Sequence, residues 1–213
     1  MRFVLIPVIS VCGCYSSFAD FADERDDGGV EDVGGAEDVG ADRDADAAAD
    51  ADADVDDGGL VPCAGGWYDG TSGLCWQDPP HDVWMTWSDA VAYCGRFSSG
   101  DYGPGSWLLP TISELRSLVR GCPETGPGGA CGVTDSCAGV DCWNDACYGC
   151  EPYVGPAGCY WPAGLGGRCD WFWSSSLYAG SYSNVLIVGF VAGMVVSFNR
   201  TDTFYVRCVR PGP

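Results

Sequence analysis

The amino-acid sequence predicts an α+β domain with many disulfide bonds, preceded by a disordered acidic segment. Twelve of the fourteen cysteines and all nine tryptophans lie after residue 60, so the hydrophobic core lies there too. Two segments of that region carry helix-start signals followed by apolar stripes. The last forty residues are rich in aromatic and β-branched residues. We therefore place the folded domain at residues 60–213.

The β-rich part of the domain centres on residues 185–198, an almost unbroken apolar run of fourteen residues. A helix needs about twenty such residues to cross a bilayer, and two glycines interrupt this run. The segment therefore favours a buried β-hairpin, turning near residues 191–193, over a transmembrane helix. We expect an aromatic strand over 171–176 and a terminal strand over 204–210.

The first predicted helix begins after Thr86, a good N-cap residue, and Asp89 lies near the positive end of its dipole. Spacings of three and four residues give this helix one apolar face. That face consists of Trp87, Ala90, Val91 and Cys94.

The second predicted helix begins with the capping box Thr111-Ile112-Ser113-Glu114, in which two side chains satisfy two backbone amides reciprocally. Gly121 is the expected stop signal. The apolar stripe of this helix consists of Ile112, Leu115, Leu118 and Val119.

Residues 63–77 predict two short strands around a turn rich in glycine, aspartate and serine. A Cys63–Cys75 bridge would close this loop of thirteen residues, which is worth about 3 kcal/mol in the chain-entropy description. We expect residues 78–85 to form an irregular connection, and this connection holds the only histidine, His81.

Residues 122–170 carry eight cysteines and many glycines, with neither helical nor strand periodicity. We interpret them as a disulfide-stapled insert, called the insert below. Eight cysteines that pair among themselves allow 105 connectivities, and the sequence does not select one. So dense a use of cysteine indicates an oxidising compartment outside the cytoplasm.

The N-terminus resembles a bacterial export signal with a lipid attachment site. Residues 1–13 predict a signal peptide with a charged start and a short apolar core. Val11-Cys12-Gly13-Cys14 resembles a lipobox, so we predict lipidation of Cys14, with an ordinary cleaved signal peptide as the alternative. By resemblance to the sorting rules of enteric lipoproteins, Tyr15 in place of aspartate favours sorting to the outer membrane or cell surface. We therefore expect an exported protein anchored to a membrane by lipid, or otherwise secreted.

Residues 14–59 predict a disordered linker rich in aspartate, alanine and glycine. From residue 15 onward this linker carries 17 acidic residues and two arginines, and it has few bulky apolar residues to bury. Residues 50–57, DADADVDD, resemble a calcium-binding loop but lack its glycine and glutamate, which favours a solvated spacer. The net charge of −20 argues against nucleic acid as a partner.

Five motifs of the folded part, in the same order, resemble the bacterial DUF1566 family, the C-terminal domain of Legionella collagen-like proteins. The motifs are GLCWQ (73–77), MTWSDAVAYC (85–94), WLLPTISELRSLV (107–119), FWSSS (172–176) and YVRCVR (205–210).

This resemblance implies a C-type-lectin-like domain, with two helices, a twisted antiparallel sheet and termini close together. It also implies a bridge between Cys94 and Cys208, which would close a loop of 115 residues worth about 5 kcal/mol. The main departures are the size and cysteine content of the insert and Leu108, where the family usually has arginine.

The tripeptide Trp143-Asn144-Asp145 resembles a motif that supplies calcium ligands in sugar-binding C-type lectins. In those lectins a Glu-Pro motif precedes the tripeptide, whereas Glu151-Pro152 follows it here, and Cys208 lies 63 residues beyond Asp145. These departures favour a chance match. We therefore expect no cofactor and keep calcium as the alternative.

Constellations that would carry catalysis or bind a metal are weak. Cys147 and Cys150 form a CxxC motif without the βαβ context of a redox site, which favours structural disulfides over zinc or redox chemistry. His81 is followed by Asp82, but Ser174–Ser176 lie in a predicted strand without the GxSxG motif of a hydrolase. We expect no enzymatic activity, although formylglycine-generating enzymes share this fold class.

The nine tryptophans and ten tyrosines leave aromatic side chains beyond what the core needs. Exposed aromatic faces stack on sugars and anchor protein interfaces. Our ligand-binding candidates are Trp143, Asn144, Asp145, Tyr178 and Tyr182. In the insert, we also expect exposure of Tyr148, Tyr153, Tyr160 and Trp161.

The sequence therefore predicts a non-enzymatic domain, at the cell surface or secreted, that binds a glycan or a protein ligand and acts in adhesion. A structural domain of the cell envelope without a specific ligand is the alternative.

Overall fold

The computed structural model describes residues 63–213. The predicted signal peptide (1–13), the lipidation site Cys14 and the predicted linker (14–59) lie outside the described residues. The described elements, in chain order, are β1 (Gly66–Asp69), β2 (Leu74–Gln77), β3 (His81–Met85), α1 (Trp87–Arg96), α2 (Ile112–Ser117), β4 (Trp171–Leu177), β5 (Asn184–Gly189), β6 (Met194–Asn199), β7 (Phe204–Val206) and β8 (Val209–Pro211). The predicted α+β, disulfide-rich class is confirmed.

The strands form two sheets, where the sequence predicts one antiparallel sheet. The smaller sheet has the order β1-β2-β8, which brings the two ends of the domain together as expected. The larger sheet has the order β3-β7-β4-β5-β6 and is mixed, because β4 and β7 pair in parallel at Phe172 and Tyr205. The predicted terminal strand 204–210 is divided between β7 in one sheet and β8 in the other.

The predicted hairpin is confirmed as β5 and β6, which pair in antiparallel register from Asn184 to Gly189. Both faces of this hairpin are covered. Leu186 and Val188 belong to one buried cluster with α2 and the insert, while Val185 and Ile187 belong to another with α1. Burial on both faces removes the usual alternation of apolar and polar residues, which explains the unbroken apolar run.

Helix α1 begins at the predicted N-cap, where the Thr86 hydroxyl accepts a hydrogen bond from the Asp89 amide at 3.4 Å. Ala90 and Cys94 are fully buried against the sheet. Val91 was expected on the same face, and this expectation is wrong, because Val91 is 41% exposed. One residue rotates the direction of a side chain by about 100° around a helix, which turns Val91 away from Ala90.

Helix α2 begins with the predicted capping box. The Thr111 amide donates to the Glu114 carboxylate at 2.7 Å, and the Glu114 amide donates to the Thr111 hydroxyl at 3.2 Å. The helix ends at Ser117, and Gly121 follows it with a positive φ of 81°. Both predicted helices are therefore confirmed.

The other N-terminal amides of α2 are satisfied by side chains from elsewhere. The Ile112 amide donates to the Ser176 hydroxyl at 2.9 Å, and the Ser113 amide donates to the Asp135 carboxylate at 3.4 Å. Ser176 in turn donates to Asp135 at 2.9 Å. Partial burial raises the pKa of Asp135, but the hydrogen bonds from Ser176, Thr111 and Ser113 outweigh this effect and lower it below its ordinary value.

The insert contains two short 3₁₀ helices, Asp145–Tyr148 and Pro156–Gly158, and no strand of the two sheets. Its eight cysteines pair among themselves. The bridges are Cys122–Cys150, Cys131–Cys147, Cys137–Cys142 and Cys159–Cys169. The Cys63–Cys75 and Cys94–Cys208 bridges are also present. Covalent cross-links therefore replace regular secondary structure in the insert.

The irregular connection expected over residues 78–85 is wrong, because His81–Met85 form strand β3. This strand lies at an edge of the larger sheet and pairs with β7 through an irregular register. Val83 and Trp84 are both more than half exposed, so the strand lacks the alternating burial that identifies strands in a sequence. Within residues 63–213, no helix is long and apolar enough to cross a membrane.

Candidate functional site: an aromatic groove between the insert and the sheet

Three aromatic side chains meet in a groove beside the edge strand β6. Two of them come from the insert and the third from the loop after β4, and together with residues of β5 and β6 they enclose a cavity of about 300 Å³. The lining residues, called the aromatic groove below, are Trp143, Tyr148, Tyr178, Leu186, Val196 and Ser197. A cavity of this size is at the lower end of the range typical of small-ligand sites.

Trp143 is fixed at the edge of the sheet, because its indole N–H donates to the carbonyl of Val195 at 3.1 Å. The ring of Tyr148 packs edge-on against it, with centroids 4.9 Å apart and planes at 86°. Tyr148 is nevertheless 54% exposed. A ring already held in place loses little conformational freedom when a ligand stacks on it, which favours binding.

The position of these rings follows from the way in which the insert joins the sheet. The amides of Cys150 and Tyr153 donate to the carbonyls of Ala192 and Val191, in the turn between β5 and β6, at 2.8 and 2.9 Å. Cys147 and Cys150 flank the end of the 3₁₀ helix that carries Tyr148, and both are disulfide-bonded to earlier parts of the insert. The aromatic groove therefore has rigid walls.

A second cavity of about 250 Å³ adjoins the aromatic groove and shares Tyr178 with it. Residues 177–182 line this cavity, including Tyr182, whose side chain is 95% exposed. The amide of Ala179 donates to the carbonyl of Ala138 at 2.9 Å, which holds this loop against the insert. The structure therefore brings Trp143, Tyr178 and Tyr182, three of the five candidates, to two adjoining cavities.

The remaining two candidates follow Trp143 directly in the chain. The Asn144 side chain accepts a hydrogen bond from the Ala146 amide at 2.9 Å and donates to the carbonyl of Ala130 at 2.9 Å. Asn144 therefore acts as the N-cap of the 3₁₀ helix and as a tie within the insert. Asp145 begins that helix, and its side chain is exposed.

Two aromatic residues of the insert are not exposed as expected. Tyr160 and Trp161 are only 3% and 6% exposed, so this part of the prediction is wrong. The amide of Tyr160 donates to the carbonyl of Phe190 at 2.9 Å, and Trp161 packs beneath the guanidinium of Arg207. The end of the insert thus folds under the larger sheet, whereas Tyr153 is 71% exposed as predicted.

His81 lies in a separate cavity of about 330 Å³ between β3 and the end of the insert. Its neighbour Asp82 forms an exposed ion pair with Arg168 at 3.1 Å. Two hydroxyls of the Ser174–Ser176 run make hydrogen bonds within the fold, because Ser174 donates to the carbonyl of Leu186 and Ser176 donates to Asp135. These serines stabilise the sheet and the start of α2.

The CxxC cysteines do not bond to each other, since Cys147 pairs with Cys131 and Cys150 with Cys122. Within residues 63–213, one group of side chains, Cys122, Glu124 and Cys150, is close enough to hold a metal ion. Its two sulfurs are joined in a disulfide, whereas metal binding by cysteine requires free thiolates. The geometry of this group therefore favours a structural role.

The sequence profile of the Lcl C-terminal domain matches residues 65–210, which is more than half of the chain. The chain belongs to the Lcl C-terminal domain family. A search of curated proteins finds no match to the chain. The family resemblance expected from the motifs is thereby confirmed.

The motifs of this Lcl C-terminal domain build its scaffold. Trp76, Trp107 and Trp173, each within a quoted motif, are completely buried. The aromatic groove takes its rings from the insert and from the loop after β4, outside those motifs.

Sequence reasoning did not identify the floor of the aromatic groove. Leu186, Val196 and Ser197 belong to the apolar run 185–198, where nothing in the sequence separates a groove residue from a core residue. Tyr148 was expected to be exposed but was not chosen as a candidate. It lies between the two cysteines of the CxxC motif, and nothing in that sequence indicates contact with a ligand.

Proposed function

We propose that this chain is an exported, lipid-anchored recognition protein whose Lcl C-terminal domain binds a glycan or a protein ligand without catalysis. The observation that carries this proposal is the aromatic groove, in which the exposed ring of Tyr148 and the half-buried rings of Trp143 and Tyr178 line one cavity and are held by disulfides and by the sheet edge. Rigid exposed aromatic faces are the side chains on which sugars stack and around which protein interfaces form.

A C-type-lectin-like fold is part of the proposal. Three features support it: two helices, the presence of the first and last strands in the same sheet, and the Cys94–Cys208 bridge. The family resemblance implies a bridge from the first helix to the last strand, and Cys208 lies directly before the last strand, β8. Folds of this kind present ligand sites on loops held by a stable scaffold.

A glycan is the ligand that the shape of the site favours. Two adjoining cavities that share Tyr178 extend the site along one direction, which suits a chain of sugar units better than a compact ligand. Ser197, which lines the aromatic groove, is a polar residue that can bond to hydroxyl groups of a sugar.

A glycan array probed with the purified chain, in calcium and in EDTA, tests this proposal. Tyr148→Ala should weaken any binding by several-fold to about tenfold, the usual worth of one aromatic contact. Tyr153→Ala is the matched control, because Tyr153 is an exposed tyrosine of the insert outside the aromatic groove. Binding that is equal in EDTA would remove calcium from the mechanism.

A protein ligand is the second outcome that supports recognition. A partner captured by the wild-type chain and by Tyr153→Ala, but not by Tyr148→Ala, would identify the aromatic groove as a protein interface. A silent array combined with no such partner would contradict the proposal and favour a structural domain of the cell envelope.

Export is supported by the cysteine pairing, since all twelve cysteines of residues 63–213 are disulfide-bonded and such bonds persist in oxidising compartments. The lipid anchor rests on the lipobox-like sequence that ends at Cys14. Mass spectrometry of the mature N-terminus tests the lipid anchor. We expect an acylated Cys14, and we expect Cys14→Ala to move the protein from the membrane fraction to the soluble one.

A further inference from the structure

The part of the chain that the structure describes buries three arginines, Arg116, Arg207 and Arg210. Arg116 donates only to backbone carbonyls, and these belong to Thr125, Gly126, Cys131 and Val133. Arg207 donates to the carbonyls of Gln77 and Gly166 and to the carboxylate of Asp78. In both cases the fold supplies the acceptors that a buried guanidinium requires.

Arg210 differs from the other two. It is 5% exposed, and its Nη1 donates to the carbonyl of Pro211 at 2.9 Å, but its Nε and Nη2 have no acceptor. The guanidinium carbon lies 3.4 Å from the ring centroid of Tyr102 and 5.4 Å from that of Trp107. The indole Nε1 of Trp107 is also buried without an acceptor.

Buried donors without acceptors are rare and costly, and a buried cation without a counter-charge is costlier still. Stacking on Tyr102 and Trp107 offsets part of this cost but leaves the N–H groups unused. We propose that Arg210 and Trp107 form a binding site for a small oxyanion, namely a carboxylate, sulfate or phosphate group.

The chemistry of the donors selects this class of ligand. The Nε–H and Nη2–H of a guanidinium point in parallel and match two oxygens of one oxyanion, a bidentate geometry that a chloride ion does not reproduce. The indole N–H of Trp107 supplies a third donor and no acceptor, so a cation or a neutral donor gains nothing there. Every group that is left unpaired at this site is a donor.

The segment that carries Tyr102 covers the site and provides its entrance. The backbone of Tyr102 is held by two hydrogen bonds with Ser99, at 3.0 and 3.2 Å. Gly103 and Gly105 follow it, and both have open space where a side chain would stand. Few atoms surround this segment, so the Tyr102 ring can move aside to admit an oxyanion. The free-energy cost of that movement is much lower than the cost of moving a core residue.

This site shares no residue with the aromatic groove, so its test does not depend on the proposed function. The test is a titration of the ¹⁵N-labelled chain with sodium acetate, sodium sulfate or sodium methyl phosphate, with sodium chloride keeping ionic strength constant. The signals of the Arg210 Nε–H and the Trp107 Nε1–H should move together and saturate below about 50 mM for at least one anion. The three anions distinguish a carboxylate ligand from a sulfate or phosphate ligand.

The Trp143 indole is the internal control, because its N–H already donates to a carbonyl and should not respond. Arg210→Lys keeps the charge but removes the planar pair of donors, so the Trp107 signal should then need about tenfold more anion to saturate. The indole signals of the other tryptophans report whether this variant is folded.

Two results would overturn the proposal. One is a Trp107 signal that drifts no more than the Trp143 signal with all three anions. The other is an Arg210 signal that ignores added anions but changes when Asp101, the neighbour of Tyr102, is replaced in Asp101→Asn. That result would assign the chain's own carboxylate to Arg210.

Discussion

Arg116 holds the start of the insert against helix α2. Its guanidinium donates to four backbone carbonyls between residues 125 and 133, in a stretch that has no helix and no strand of the two sheets to satisfy them. Burial lowers the pKa of Arg116 below its ordinary value. An arginine remains protonated at neutral pH even so, and its charge strengthens each of these hydrogen bonds.

Arg116→Met should therefore lower the free energy of unfolding by about 3 kcal/mol or more, because a buried carbonyl left without a donor costs about 1–3 kcal/mol. Urea denaturation with the disulfides intact measures this loss. Arg96→Met, at an exposed arginine in the last turn of α1, is the control and should cost less than about 0.5 kcal/mol. Equal effects of the two variants would contradict the role given to Arg116.

Asp135 makes the junction between the insert, β4 and α2 sensitive to acid. Its folded-state pKa is lower than its ordinary 3.8, because the hydrogen bonds it accepts outweigh the effect of burial. The ionised carboxylate therefore stabilises the fold at pH values above about 4, and this stabilisation is lost as the pH falls through the folded-state pKa. Asp135→Asn should be less stable than the wild type at pH 7, and the difference should shrink as the pH falls below about 4.

Unfolding midpoints in urea at pH 7, 5, 4 and 3 test this dependence. Asp141→Asn provides the comparison, since Asp141 is an exposed residue of the insert that makes no hydrogen bond within the described part of the chain. Its difference from the wild type should stay constant over the same range. A difference for Asp135→Asn that does not change with pH would show that its charge is irrelevant to the junction.

At the scale of elements, the two helices start with N-caps of unequal quality. At α2 the Thr111 hydroxyl accepts from the Glu114 amide at 3.2 Å, and the Glu114 carboxylate accepts from the Thr111 amide at 2.7 Å. At α1 the Thr86 hydroxyl accepts from the Asp89 amide at 3.4 Å, without the return bond of a capping box. Loss of a threonine N-cap costs about 0.5–2 kcal/mol. Thr111→Ala should lie at the upper end of that range and Thr86→Ala at the lower end. Thermal unfolding of both variants, with Thr201→Ala in an exposed turn as a control, measures the order, and a larger loss for Thr86→Ala would contradict it.

The sequence was informative about elements where one local rule acts alone. The capping residues Thr86 and Thr111 predicted both helix starts, and the apolar run 185–198 predicted the β5–β6 hairpin. Strand β3 was missed because an edge strand with Val83 and Trp84 exposed carries no burial pattern. Its pairing with β7 is a tertiary contact that no local signal encodes.

The aromatic groove was predictable only in part, for the same reason. Trp143, Tyr178 and Tyr182 were selected because aromatic residues in loops exceed the needs of the core, and the structure places all three at the two cavities. Tyr160 and Trp161 are also aromatic residues of a cysteine-rich and glycine-rich stretch, yet they are buried under the sheet. Only the path of the disulfide-bonded insert, one of 105 pairings, separates the two groups.

At the scale of the whole molecule, the six described disulfides divide into long-range and local bridges. Cys94–Cys208 joins residues 114 positions apart and lies in the buried cluster beside α1, whereas Cys137–Cys142 spans five positions within the insert. In the chain-entropy description, closing the longer loop restricts the unfolded chain far more than closing the shorter one. The scaffold therefore depends on the first bridge, and the second shapes only a local turn.

Replacing both cysteines of one bridge by alanine tests this division. Loss of the Cys94–Cys208 bridge should lower the free energy of unfolding by about 5 kcal/mol, and loss of the Cys137–Cys142 bridge by about 2 kcal/mol, because the stabilisation grows with the logarithm of loop length. Urea denaturation measures both losses, and non-reducing mass spectrometry verifies that the other ten cysteines keep their partners. Equal losses, or Cys94 bonded to a residue other than Cys208 in the wild type, would contradict this account of the scaffold. The aromatic groove provides a second readout, since ligand binding should survive loss of the Cys137–Cys142 bridge at temperatures where the variant remains folded.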